Sequence, residues 1–221
     1  MTHTATHSAP LSPTSALKHA TTASPEICLD DASFAARRRA SPFGTLLGTR
    51  DGVEVYSSRG GNRGNFKSHF HNGHFTGVRW QCVELARRYL LVQFGVTFES
   101  IGFAYEIFEP TTRFANVATR FLTPVTRHRN GSLTRPTKGS LLIWNHGGIN
   151  TYTGHVAVIV GVTDSHVDII EQNMDDTIWT EAYSRRLRVV TDGHSHYTIQ
   201  NFHSNETILG WVSLATETTS A

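Results

Sequence analysis

The sequence predicts an α+β fold in which one early helix packs on a later antiparallel β-sheet. Between Gln81 and Phe94 the apolar residues recur every three or four positions, which is the period of an amphipathic helix. After Gly131 the chain changes to short β-rich runs bounded by Gly, Asp, Asn or Ser. One helix followed by a series of strands is typical of α+β proteins rather than of alternating α/β folds.

The bulk composition restricts the classes of function. A chain of 221 residues, 38% apolar and 17% charged, has the composition of one globular domain. A formal net charge of +2 gives no reason to expect a nucleic-acid partner. No apolar run approaches the roughly 20 residues of a membrane-spanning helix, and the start lacks the apolar stretch of a secretory signal. We therefore expect no membrane partner and a cytoplasmic location.

The cysteine usage agrees with that expectation. There are two cysteines, Cys28 and Cys82. Cys28 lies in a polar segment and Cys82 opens the apolar helix, so we do not expect a disulfide between them. This usage is typical of a reducing compartment, or of a protein that needs one free thiol.

The composition along the chain divides it into three parts. Residues 1–40 are rich in Ser, Thr, Ala, Pro and His without periodicity, which predicts a disordered tail. The first 25 residues lack acids, as organellar transit peptides do, but they also lack Arg, which favours an untargeted tail. The folded domain is predicted over 41–214, with a short tail at 215–221.

The first elements of the folded part follow from local pattern. Val53 to Tyr56 alternates like a strand, and residues 57–77 are predicted to be a long loop because Gly, Asn, Ser, His and Arg dominate them. His69, His71 and His74 lie close together there. They are candidate metal ligands, but no Cys or carboxylate joins them, so an exposed loop is the favoured interpretation and no metal is predicted.

The remaining predicted elements are two helices and six strands. Gly95 is expected to end the first helix, and Glu84 and Arg88 are expected to pair on its side away from the core. A second helix is expected over residues 106–121. The predicted strands are Ser140–Trp144, Val156–Val162, Val167–Ile170, Leu187–Val190, Tyr197–Ile199 and Ile208–Val212.

Cys82 is the first candidate for chemistry. It lies in the first turn of the predicted helix, and both a helix N-terminus and a nearby imidazole lower the pKa of a thiol from its ordinary value of about 8.5. The alternative is a small buried apolar residue, which is the usual role of a free cysteine.

His155 is the second candidate, because it begins an otherwise apolar strand. In that strand it shares a face with Ala157 and Ile159, so its ring points to one defined side. Its place at the strand's start, after Gly154, is where a base could reach a helix N-terminus. The alternative is a structural histidine.

Glu171 is the third candidate. The turn at residues 163–165 predicts a hairpin, and pairing of Val162 with His166 would place Asn173 opposite His155 and Glu171 one diagonal step away. A slip of one residue would turn Glu171 to the other face. A carboxylate bonded to the imidazole would hold its tautomer and stabilise its charged form. The alternative is a polar strand end in water.

Several segments of the chain resemble the CHAP family, and within it the amidase domains of glutathionylspermidine synthetase/amidase and trypanothione synthetase. The resemblance extends from about Ser41 to Val212. It rests on residues 42–48, 80–88, 142–144, 153–157, 171–173 and 207–211.

The resemblance implies a papain-like fold, a nucleophile helix packed on an antiparallel sheet, and hydrolysis of the amide between the glycine carboxylate of glutathione and a polyamine. It implies no cofactor. It also implies roles: Cys82 as nucleophile, His155 as base, Glu171 as orienting group and Gln81 at the oxyanion. The residues implied to line the glutathionyl pocket are Arg87, Ile101, Gly102, Phe103, Ala104 and Asn173.

Two other functions remain open. The ATP-dependent synthetase domain of the bifunctional family members is missing from this sequence, so we expect cleavage of the conjugate without its synthesis. One rival is a peptidoglycan amidase or endopeptidase; the missing secretion signal and wall-binding module disfavour it. The other is a catalytically silent CHAP binding module, which a complete Cys, His and Glu set disfavours. The sequence leaves the oligomeric state open.

Overall fold

The computed structural model describes Met1 and residues 40–215. The tails predicted at 1–40 and 215–221 lie almost entirely outside the described residues, as does Cys28. Within the described part, no helix is both long and apolar enough to cross a membrane.

Two hairpins open the fold. Strands β1 (Leu46–Arg50) and β2 (Val53–Tyr56) form the first, and β3 (Ser68–His71) and β4 (His74–Val78) the second. The second hairpin corrects the prediction of one long loop over 57–77. The turn Asn72-Gly73, with φ of 49° and 80°, is a strong local signal for a hairpin, and it joins two strands whose pattern is mostly polar.

Helix α1 (Cys82–Phe94) confirms the apolar period of the sequence. Gly95 ends it in the left-handed region, at φ 62°. The helix buries Leu85, Tyr89 and Leu90, and each such side chain contributes about 1.5–3 kcal/mol. The predicted pair of Glu84 and Arg88 forms, but both residues are buried, so the expectation that they lie away from the core was wrong.

The second helix predicted over 106–121 was wrong. A short 3₁₀ turn, Ala104–Phe108, takes up its start. Pro110 cannot donate a backbone hydrogen bond and restricts the residue before it, so the helix cannot continue. The chain instead forms β6 (Phe114–Asn116), which pairs with β5 (Val96–Phe98) after α1.

The main sheet has seven strands, and every neighbouring pair is antiparallel. The six strands predicted after Gly131 are confirmed, and the polar strand β7 joins them at the edge. The strands are β7 (Val125–Arg129), β8 (Leu141–Trp144), β9 (His155–Val162), β10 (His166–Ile170), β11 (Arg185–Thr191), β12 (Tyr197–Ile199) and β13 (Ile208–Leu214). Their order across the sheet is β12-β11-β10-β9-β8-β13-β7.

Each face of the sheet carries its own apolar core. Val156 and Val158 of β9 join α1 in one cluster. Ala157 and Ile159 point to the other face, where they join Trp144 in a second cluster. The fold is therefore α+β, with α1 packed on one face of an antiparallel sheet.

The register between β9 and β10 changes along the hairpin. Near the turn, Val162 pairs with Val167, one residue away from the pairing assumed above. A bulge at Val160 then shifts the register, so that Val158 pairs with Ile170. Beyond the bulge the two strands are therefore in the register assumed from the sequence, which keeps Glu171 on the same side of the sheet as His155.

Candidate active site

A cavity of about 530 Å³ lies at the end of the sheet, beside the N-terminus of α1. Its walls come from α1, from the turn after β5, from the loop before β9 and from the segment after β10. Nine of the ten predicted site residues line it: Gln81, Cys82, Arg87, Ile101, Gly102, Phe103, Ala104, His155 and Asn173. The tenth, Glu171, lies behind His155.

Cys82 is the first residue of α1 and is buried against the cavity. Its thiol lies beside the ring of His155 and the backbone N–H groups of Val83 and Val156. Burial alone would raise the pKa of the thiol, but the hydrogen bond and charge of His155 and the two N–H groups outweigh it and lower the pKa. The arrangement favours a thiolate.

His155 stands at the first position of β9, where it meets residues from both faces of the sheet. Its Nε2 lies 2.9 Å from a carboxylate oxygen of Glu171, which leaves Nδ1 for the thiol. Trp144 packs at 5.3 Å between ring centres. Burial alone would lower the pKa of His155, but Cys82 and Glu171 raise it to about 9. These contacts favour the imidazolium form of the ring, paired with the thiolate of Cys82.

Glu171 follows the last residue of β10, and its carboxylate joins two cations. Oε2 accepts from His155 Nε2 and, at 2.7 Å, from Arg185 Nη2, while Oε1 accepts from Arg185 Nε at 2.9 Å. Burial raises the pKa of Glu171, but the charge of Arg185 and the contact with His155 lower it to about 2. The sequence reasoning missed Arg185, although it lies on the same face of its strand as the buried Leu187 and Val189.

Gln81 and Asn173 form a second polar pair at the cavity. Asn173 Nδ2 donates to Gln81 Oε1 at 2.9 Å, and Asn173 Oδ1 accepts from the Ser58 hydroxyl at 2.7 Å. Within residues 40–215, the side-chain nitrogen Nε2 of Gln81 makes no hydrogen bond, so it is free to donate to a group in the cavity. Asn173 therefore orients Gln81 as well as lining the cavity.

Comparison with known proteins gives a family match and several relatives. Residues 73–173 match the family model of the CHAP domain. The chain carries a CHAP domain. It is 37% identical over 184 residues to the bifunctional glutathionylspermidine synthetase/amidase of Escherichia coli (strain K12), and 32% identical over 182 residues to the trypanothione synthetase of Crithidia fasciculata.

These alignments cover 78% of this chain but 29% and 26% of the two relatives. The chain therefore spans less than a third of their length. A glutathionylspermidine synthase of Crithidia fasciculata is 30% identical over 196 residues, with 26% of its length covered. The chain is thus similar to one part of a protein whose name includes an amidase and to one part of two proteins named as a synthetase and a synthase.

Arg87 lines the cavity of the CHAP domain without lying on a solvated helix face. It is buried, and its guanidinium donates to the carbonyl oxygens of Thr76, Phe98 and Glu99 at 2.8, 3.1 and 3.0 Å. Burial lowers the pKa of Arg87 to about 10. No carboxylate within residues 40–215 bonds this cation. Arg87 therefore ties three wall segments together and leaves a positive charge at the cavity.

Glu84 is the centre of a buried network that the sequence reasoning missed. Its carboxylate accepts from Arg88 Nε at 2.7 Å and lies 2.8 Å from His69 Nδ1; it also accepts from Thr76 at 3.1 Å and Gln172 at 3.0 Å. Burial raises the pKa of Glu84, but His69 and Arg88 lower it to about 2. The network ties α1 to the β3–β4 hairpin and to the segment that carries Glu171.

The histidines of residues 69–74 accordingly have different surroundings. His69 points inward to Glu84, so the expectation of an exposed loop was wrong for it. His71 and His74 pair across the end of the β3–β4 hairpin. The described residues contain no group of three or more His, Cys, Asp or Glu side chains arranged to hold a metal.

The loop before β9 supplies one wall of the cavity that local pattern did not predict. Asn150 is buried there, and its side-chain nitrogen Nδ2 has no hydrogen-bond partner within the described chain. The next residue, Thr151, adopts φ 43° and ψ −114°, which is strained for a β-branched side chain. Strain and an unpartnered amide at one cavity wall are typical of a ligand-binding segment.

Proposed function

We propose that the CHAP domain hydrolyses the amide between the glycine carboxylate of glutathione and a polyamine such as spermidine. The printed names of the relatives support this substrate class. The observation that carries the proposal is the buried chain of contacts from Cys82 to His155 to Glu171. This order of nucleophile, base and orienting group also supports a papain-like arrangement of the domain, which we take to extend over residues 41–214.

The first step is attack by the Cys82 thiolate on the glycyl carbonyl carbon. The helix N-terminus and the two N–H groups that contact the sulfur favour the thiolate before substrate arrives. The carbonyl oxygen becomes an oxyanion, which Gln81 Nε2 and a backbone N–H at the start of α1 stabilise. Asn173 contributes by holding the amide of Gln81 in place.

The second step is departure of the amine. The His155 imidazolium donates its proton to the leaving nitrogen as the carbon–nitrogen bond breaks, and the acyl group remains on Cys82 as a thioester. Neutral His155 then takes a proton from a water molecule, which attacks the thioester and releases glutathione. Glu171 keeps the ring oriented through both steps.

The acyl side of the cavity suits an anionic group. Arg87 supplies a buried positive charge that no carboxylate neutralises directly, and the γ-glutamyl part of glutathione carries an α-carboxylate. Residues 101–104 close the same wall. A free thiol nucleophile must remain reduced, which is consistent with the cytoplasmic location expected from the sequence.

The test is incubation of the full chain with glutathionylspermidine, followed by assay for free spermidine. Cys82→Ala should abolish release with the fold retained, and His155→Ala should be nearly as damaging. Glu171→Gln should be milder, because the side chain still forms hydrogen bonds. A turbidity assay on purified peptidoglycan runs beside it. Wall lysis without spermidine release would instead establish a peptidoglycan amidase.

A further inference from the structure

Arg185 lies outside the segment that matches the CHAP family model, at the start of β11. We propose that Arg185 is a positioning residue of the active site, which holds the carboxylate of Glu171 in place and ionised so that it can orient His155. The proposal rests on the roles assigned to Cys82, His155 and Glu171 in the proposed function.

The contact geometry is that of a two-pronged clamp. Nε and Nη2 of Arg185 reach the two oxygens of Glu171 separately, at 2.9 and 2.7 Å. Paired contacts of this kind fix the plane of a carboxylate as well as its position. Oε2, the oxygen that meets Nη2, is also the one that meets His155. The direction of the imidazole contact is therefore set by Arg185.

The surroundings of Arg185 make it the cation of an otherwise acidic cluster. Asp175 and Glu206 act on it electrostatically in addition to Glu171, and Asp175 and Asp176 line a small hollow beside Glu171.

The loop that follows β12 covers the clamp. Phe202 packs over the guanidinium at 5.1 Å, and Glu206 caps this loop by accepting the N–H groups of Phe202 and His203 at 3.1 and 2.7 Å. The clamp is thus shielded from water. In this buried position a charge acts more strongly than it would at the surface.

The consequence of losing this cation has a definite sign. A buried positive charge disfavours proton binding at every neighbouring group. Its removal therefore raises the proton affinity of Glu171 and of His155, and, because a positive charge near the thiol is lost while the imidazolium stays protonated, it also raises the proton affinity of Cys82. For the thiol this means less thiolate at every pH below the inflection of its titration. A purely structural role for Arg185 would change stability but would leave the ionisation of Cys82 where it is.

The experiment measures the rate of Cys82 alkylation by iodoacetamide from pH 4 to 10, read by mass spectrometry. It needs no substrate, so it tests the clamp whether or not glutathionylspermidine is cleaved. In Arg185→Met the inflection in the plot of Cys82 alkylation rate against pH should move up by about one pH unit. Alkylation is then about tenfold slower at pH values below the inflection. Arg186→Met is the matched control: Arg186 is the next residue and pairs with Asp168 at the surface. It should keep the wild-type profile.

Arg185→Lys keeps the charge but cannot make the two-pronged contact, so its inflection should move by about half a unit. This variant decides the question if Arg185→Met does not fold. A folded Arg185→Met with the wild-type inflection would overturn the proposal. So would an unshifted Arg185→Lys profile beside an unfolded Arg185→Met, because Arg185 would then only stabilise the fold.

Discussion

Replacing Glu84 by Gln should destabilise the domain strongly, although the two side chains have nearly the same shape. The carboxylate of Glu84 is fully buried and is the ionic partner of Arg88, which is also buried. Removing one member of such a pair leaves the other charge uncompensated and costs about 3–5 kcal/mol. For a domain of this size each kcal/mol lowers the melting temperature by about 2–4 °C, so we expect a decrease of roughly 6–20 °C.

Thermal unfolding gives the melting temperature and urea unfolding gives the free energy of unfolding, both followed by tryptophan fluorescence. Trp80, one of four tryptophans, lies 5.7 Å from the Arg88 guanidinium and contributes the signal from this region. Glu99→Gln is the matched control, because Glu99 pairs with Arg113 at the surface, where ion pairs contribute little. Its unfolding midpoint should be unchanged.

A double-mutant cycle identifies the cause of the loss. Arg88→Met alone should also destabilise the domain, while the double variant should lose clearly less than the sum of the two single changes, since no uncompensated charge then remains. Additive losses, or a loss under about 1 kcal/mol for Glu84→Gln, would show that the pair does not carry the stability assigned to it.

Three further outcomes follow from the site. Iodoacetamide at neutral pH should modify Cys82 faster than Cys28, measured by peptide mass spectrometry; the reverse order would indicate an inert, buried thiol. The activity measured as kcat/KM should decline on the alkaline side near pH 9, where His155 loses the proton that the leaving nitrogen needs; a profile that stays flat to pH 10.5 contradicts this assignment. Arg87→Lys should raise KM about tenfold with a smaller change in kcat in steady-state kinetics, because loosened walls weaken binding more than chemistry; an equal decrease in kcat would assign Arg87 to the transition state.

The parts of the fold that depend on neighbouring residues could be predicted from the sequence. The apolar period between Gln81 and Phe94 predicted the helix, and Gly95, which adopts the left-handed conformation, predicted its end. The strands after Gly131 were recognisable because β-branched runs alternate with turn residues. The same local patterns placed Cys82 at a helix start and His155 at a strand start, which are the two positions that the cavity brings together.

The parts that depend on distant contacts could not be predicted. Glu84 looks like half of a surface pair, and its burial follows from the β3–β4 hairpin packing His69 and Thr76 against it. Arg185 carries no local sign of its partner, because it is brought to Glu171 by pairing between β10 and β11.

Local signals also failed where two of them conflicted. Asn72-Gly73 predicts a hairpin, but it stands among residues typical of a loop. Pro110 predicts the end of a helix, but it follows residues with a helical pattern. In both cases the residue with the stricter backbone requirement agreed with the structure.

The bulge at Val160 separates the outer end of the β9–β10 hairpin from its inner end. The carbonyl of this extra residue accepts from Arg50 Nη2 at 3.3 Å, so β1 holds the irregularity in place. The phase of the strands next to Glu171 is thus fixed inside the domain, independently of the exposed turn at residues 163–165. That turn is consequently a suitable insertion point for an epitope or a fluorescent label, because a longer connection there leaves the register at the Glu171 end of the hairpin unchanged.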